Sequence, residues 1–117
     1  MIDMITLVNV PNDMVANNLT PFEPTHPGEL IRDELESLGM TQAKLAERIG
    51  VSPSLLNEVI NGRRSVSTEM ALLLEASIGI SAEIWLKLQV DYNMQLAKSD
   101  DSFMRRLASI RRIAAIL

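Results

Sequence analysis

"TQAKLAERIGVSPSLLNEVINGRR", residues Thr41 to Arg64, sets two short helix-compatible runs on either side of a tight break and closes on two arginines. Gly50 suits a helix end, Ser52 a helix cap and Pro53 a first helical turn, so "GVS" reads as the short turn of a helix-turn-helix. At about 100° per residue from Pro53, Ser54, Asn57, Glu58 and Asn61 fall between roughly 0° and 140°, and Leu55, Leu56, Val59 and Ile60 between roughly 200° and 340°. The apolar flank is committed to a core. The polar flank offers small and hydrogen-bonding groups on a helix slim enough for a DNA major groove. Any surface helix has a solvated polar face, so the context decides. Leu45, Ala46 and Ile49 make a narrow stripe on the preceding run, with a small residue where two helices approach. Arg63 and Arg64 follow Asn61–Gly62, where a phosphate strand could pass.

Outward from this stretch, Gly39, Gly50, Gly62 and Gly79 each follow a helix-compatible run. Such spacing delimits four helices, because a left-handed residue ends a helix at little cost when it is glycine. The first is expected from Pro27 to about Leu38. The second, third and fourth are expected after Thr41, Ser52 and Ser67, each a capping residue. A fifth follows Ser81 and runs through "EIWLKLQVDYNMQLA". The polar "KSDDS" (Lys98 to Ser102) then separates a last amphipathic helix, "FMRRLASIRRIAAIL", with Phe103, Leu107, Ile110, Ala114 and Leu117 along one side. The expected class is all-α: an acidic N-terminal arm over residues 1–24, a five-helix domain over 25–97 and an extra C-terminal helix over 98–117.

Composition agrees with close-packed helices: 47% of the 117 residues are hydrophobic but only 3% aromatic, so aliphatic side chains must fill the interior. There is no cysteine, which removes disulfides and thiolate metal sites and fits a reducing compartment. No apolar run reaches the ~20 residues of a membrane span, so a soluble cytoplasmic protein is expected. The formal net charge of −4 is localised. Asp3, Asp13, Glu23 and Glu29 are unopposed in residues 1–30, whereas the remainder is neutral, with 11 acidic and 11 basic residues. A neutral domain can still turn one basic face toward phosphates, because the local field decides.

Residues 27 to 80 resemble the helix-turn-helix of the XRE superfamily, the repressors related to lambda and 434 repressor and Cro, in the "TQ" opening, the "LA" pair, "IGVS" and "NGRR". The resemblance implies a lambda-repressor-like fold, with Gln42 at a phosphate, Ser54 and Glu58 at base edges, and Asn61 to Arg64 along the DNA backbone. The candidate DNA-binding set is Gln42, Lys44, Ser52, Pro53, Ser54, Asn57, Glu58, Asn61, Arg63 and Arg64. Gln42, Ser52 and the arginines can donate to phosphate oxygens, which positions a protein without specifying sequence. Asn57 can bond adenine bidentately, Glu58 can accept from cytosine N4, and Pro53 offers only apolar contact, to a thymine methyl. Glu58 serves equally well as a repulsive element against wrong sites. A single module makes too few contacts for tight specific binding, so a homodimer on a palindromic operator is expected.

The flanks are more specific. "HPGELIRDELESLGMTQ" and "EIWLKLQVDYNMQLA" look like HigA-type antitoxins, and the resemblance spans residues 26 to 97. It implies a second partner, a small basic HigB or RelE-like ribonuclease toxin, which the protein neutralises while repressing the shared operon. Charge agrees, since a toxin that clasps RNA must be cationic and an acidic surface on its antidote speeds association. The arm is the candidate contact, and a solvated tail is the competing reading. Trp85, Leu88 and Tyr92 form an apolar stripe at helical spacing, read as core or dimer interface. His26, the only histidine, reads as a helix-entry residue; with no metal-ligating neighbours, no metal or cofactor is expected. A transcriptional repressor without a toxin is the alternative function. No catalytic constellation assembles at a convincing spacing, so an enzyme is not expected.

Overall fold

The computed structural model describes residues 24–116, and the arm expected over residues 1–24 lies outside them except for Pro24. Six helices follow in order: α1 (Pro27–Leu38), α2 (Gln42–Ile49), α3 (Pro53–Ile60), α4 (Thr68–Ile78), α5 (Ala82–Lys98) and α6 (Asp101–Ile116). Their starts follow from local chemistry. Thr41, Ser52, Ser67 and Ser81 are extended, and each hydroxyl oxygen accepts the N–H three residues on, satisfying one of the donors a helix start leaves orphaned. α1, α2 and α4 end at glycines in the left-handed region, of which Gly50 (φ 75°) closes α2 through a bond from its N–H to the Ala46 carbonyl.

Packing of α1 to α5 makes one core from Ile31, Leu35, Leu45, Ala46, Leu56, Val59, Ile60, Val66, Met70, Ala71, Leu74, Ala82 and Trp85. Every helix from α1 to α5 contributes, and α2 packs against α3 as the turn between them requires. Gly28 sets the closest approach. A Cβ there would lie 2.6 Å from the Ile60 carbonyl oxygen and closer still to that of Val59, so the first turn of α1 rests directly on the last carbonyls of α3. The contact joins the positive end of one helix dipole to the negative end of another.

Two expectations change. α6 begins two residues earlier than the hydrophobic pattern implies, because Asp100 caps it: its Oδ1 accepts the Phe103 N–H at 3.1 Å. Trp85 is fully buried within its own domain, its indole Nε1 donating to the Ile80 carbonyl at 3.2 Å, so it is core and is not accessible to a second chain. Leu88 and Tyr92 are half-buried along α5. No described helix is long and apolar enough to cross a membrane.

Candidate DNA interface

The short α3 is placed by Leu56, Val59 and Ile60, all buried, so the sector carrying Ser54, Asn57, Glu58 and Asn61 must face outward. Ser54 and Asn61 are exposed, Asn57 and Glu58 half-buried. Beside them α2 presents Gln42 on its first turn, and an open cleft of about 390 Å³ runs between the two helix starts, lined by Gln42, Ala43, Pro53, Ser54 and Asn57. Lys44 lies further out, 3.6 Å from Glu47 in an exposed pair worth little to stability. The Ser52 oxygen accepts from the Leu55 N–H at 3.1 Å, which leaves its hydroxyl proton free to donate.

The polar flank is not a set of independent side chains. Arg32 Nη2 donates to Asn61 Oδ1 at 2.6 Å, Asn61 Nδ2 donates to Asn57 Oδ1 at 3.1 Å, and Asn57 Nδ2 donates to Gln42 Oε1 at 3.1 Å. One relay therefore crosses the face from α1 through α3 to α2. Arg63 adds a long contact of 3.5 Å to Asn57 Oδ1. In this arrangement the Asn57 amide orients its neighbours, with one of its two N–H donors on Gln42 and one of its two acceptor positions on Asn61. Sequence reasoning places Asn57 on the correct flank but does not reveal this commitment.

Glu58 is likewise engaged. Its Oε1 accepts from Arg64 Nε at 2.8 Å, with both side chains substantially exposed. The carboxylate thus holds one of the two arginines against α3, and a phosphate contact by Arg64 has to compete with it. Arg63 and Arg64 otherwise stand where the sequence places them, exposed on the turn after α3. The residue sequence reasoning missed is Arg32, which is separated from Asn61 by 29 positions. Nothing local signals that pairing.

Gly62, Ile60, Asn61, Glu29 and Arg32 surround a small polar recess with His26 at its edge. His26 is buried, and its Nδ1 accepts the Gly28 N–H at 2.9 Å, capping α1 as a helix-entry residue. Burial holds its pKa below the ordinary histidine value, against the opposing pull of the Glu29 carboxylate and a hydrogen bond to the Arg64 backbone. Among the described residues, no three histidine or carboxylate side chains gather to hold a metal.

This geometry has counterparts. A helix-turn-helix family model matches residues 31–85. The chain is 37% identical over 76 residues to virulence-associated protein I of Dichelobacter nodosus, covering 64% of this chain and 70% of the relative. Its fold superposes with a TM-score of 0.66 on an addiction module antidote protein of the HigA family from Coxiella burnetii, at 32% identity over 72% of this chain and 95% of that one. The chain belongs to the HigA-type antitoxins. A further HigA, from Pseudomonas aeruginosa and solved with the higBA promoter, superposes with a TM-score of 0.63 at 33% identity, covering 72% and 90% of the two chains. The HigA-type reading of "HPGE" and "WLKLQ" is thereby borne out, and the family is one of DNA-binding regulators and antitoxins rather than enzymes.

Proposed function

We propose that this chain is an operator-binding antitoxin that, as a homodimer, reads a palindromic DNA site through α3 and neutralises a basic HigB or RelE-like ribonuclease toxin whose operon it represses. The observation that carries the DNA half is the outward flank of α3, bounded by the Ser52 cap on one side and Arg63–Arg64 on the other. On that reading Gln42, Lys44, Ser52 and the arginines position the backbone. Pro53, Ser54 and Glu58 meet base edges, and Asn57 and Asn61 hold the face in shape. The toxin half rests on family membership and on charge, because residues 1–30 carry four acidic side chains and no basic one. Autorepression follows if both activities belong to one dimer.

The test is a titration with three duplexes: the symmetric promoter element upstream of its own gene, a single half-site, and a scrambled sequence. Preference for the symmetric element by at least ~10³ over the scramble matches specific recognition, and equal affinity for whole and half-sites removes the dimer. Co-expression with the neighbouring reading frame tests the toxin half. A basic protein that co-purifies and loses ribonuclease activity supports it, and a neighbour that stays active and unbound overturns it.

A further inference from the structure

The two stretches outside the helix-turn-helix that most mark this chain, "HPGE" at 26–29 and "WLKLQVDY" at 85–92, are more than fifty residues apart yet meet around one loop. That loop, Asn61 to Val66, joins α3 to α4 and carries Arg63 and Arg64. At its far end the Val66 N–H donates to Gln89 Oε1 at 2.8 Å in a buried bond, and Gln89 Nε2 donates to Asn93 Oδ1 at 3.0 Å. The second bond fixes which way the amide faces. At the near end the His26 ring lies edge-on to Tyr92, centroids 4.8 Å apart and planes at 80°. Gly62 passes so close that a Cβ on it would touch the His26 side chain at 3.6 Å.

The loop is therefore gripped at both ends by side chains that α5 supplies or backs. Gln89 is buried, and its amide oxygen supplies the partner that the buried Val66 N–H of the loop would otherwise lack, so the loop is held where the amide stands. Its function is to fix the loop. We propose that Gln89 and His26 are positioning residues for DNA binding, a clasp through which α5 sets the direction in which Arg63 and Arg64 leave the surface. The inference rests on the operator-binding reading and extends it: the contacts that fix phosphate geometry originate on α5, outside the helix-turn-helix.

Two variants of the full chain test it. Gln89→Met keeps the volume and removes the acceptor. His26→Asn keeps a capping acceptor for the Gly28 N–H and removes the ring from Tyr92 and Gly62. Affinity for the promoter duplex is measured across a salt series, with thermal unfolding in parallel. Each of Gln89→Met and His26→Asn is expected to remain folded and to bind roughly tenfold more weakly. The slope of log affinity on log salt should flatten by about one, as a phosphate contact is lost. Folded variants with wild-type affinity and slope overturn the proposal. Should Gln89→Met fail to fold, His26→Asn and the exchange rate of the Val66 amide in the wild type decide: that amide should exchange as slowly as the core, and rapid exchange overturns the clasp. A wild type that binds no promoter duplex at any salt defeats the operator-binding reading instead, and leaves slow Val66 exchange intact.

Discussion

α3 and α6 are both amphipathic, yet they relate to the fold in opposite ways. α3 has eight residues and buries three of them; α6 has sixteen and buries none. An eight-residue helix does not persist alone in water, so α3 exists because Leu56, Val59 and Ile60 are held, and holding them fixes where Ser54 and Glu58 point. α6 packs along the end of α5 through half-buried Met104 and Leu107, while Ile110 and Ile113 stay more than half exposed. On the proposed function the α3 flank meets base edges, and such a surface needs its direction enforced by the core. A helix outside the core has a direction set by its one neighbour, and stability data should separate the two.

The widest separation is expected between Gly28→Ala and Ile110→Ala. A methyl at Gly28 collides with backbone carbonyls that cannot move without dislodging the end of α3, so a loss of about 3 kcal/mol or more is expected. At Ile110, 52% exposed, truncation should change unfolding by less than ~0.5 kcal/mol. Chemical denaturation of both variants checks the pair, and similar losses would mean that α6 is part of the cooperative core after all.

Cap removal sharpens the contrast with one kind of substitution at two places. Ser52→Ala deletes the acceptor for the Leu55 N–H on a helix tied to the core, and should cost about 1 kcal/mol of global stability. Asp100→Ala deletes the acceptor for the Phe103 N–H on α6. There the expected effect is local fraying, visible as faster amide exchange near Phe103 with the global transition unmoved.

The same division explains what the sequence revealed. Helix starts were legible because a cap is a bond across three residues: Ser52 to Leu55 and Ser67 to Met70 are written in adjacent letters. The flank of α3 was legible because periodicity alone separates Asn57 from Leu56. Asp100 was misread as spacer because a polar run hides which member caps. The relay from Arg32 to Asn61 and the bond from Val66 to Gln89 span 29 and 23 positions, and depend on how helices cross. The Trp85 stripe leaves core and interface open for the same reason, since an apolar stripe does not say whether the chain itself or a second copy covers it.

A smaller effect is expected from pH, and it belongs to the N-cap of α1, where the chain's one histidine sits. Burial keeps His26 neutral in the folded protein by holding its pKa below the ordinary histidine value, so the unfolded chain binds that proton first. The stability it supplies is complete above pH ~6.5 and is lost as the pH falls through the lower folded value. His26→Asn should flatten that part of the stability profile, measured before the carboxylates begin to titrate near pH ~4. An unchanged slope would place the titration elsewhere.

Removing α6 as a whole should cost little for sixteen residues lost. A chain ending at Ser99 keeps every residue of the core, from Ile31 to Trp85, and also the Gln89 and His26 contacts. It loses only half-buried packing against the end of α5 and exposes the surface beneath it. The midpoint of thermal unfolding should fall by no more than about 4–8 °C, the shift that ~1 kcal/mol produces in a domain of this size. Measuring molecular mass alongside separates two causes of any larger fall. If the truncated chain is monomeric where the full chain is dimeric, the loss is of association and should depend on protein concentration. If the mass is unchanged and the fall is concentration-independent, α6 supports the core, and the contrast with α3 fails.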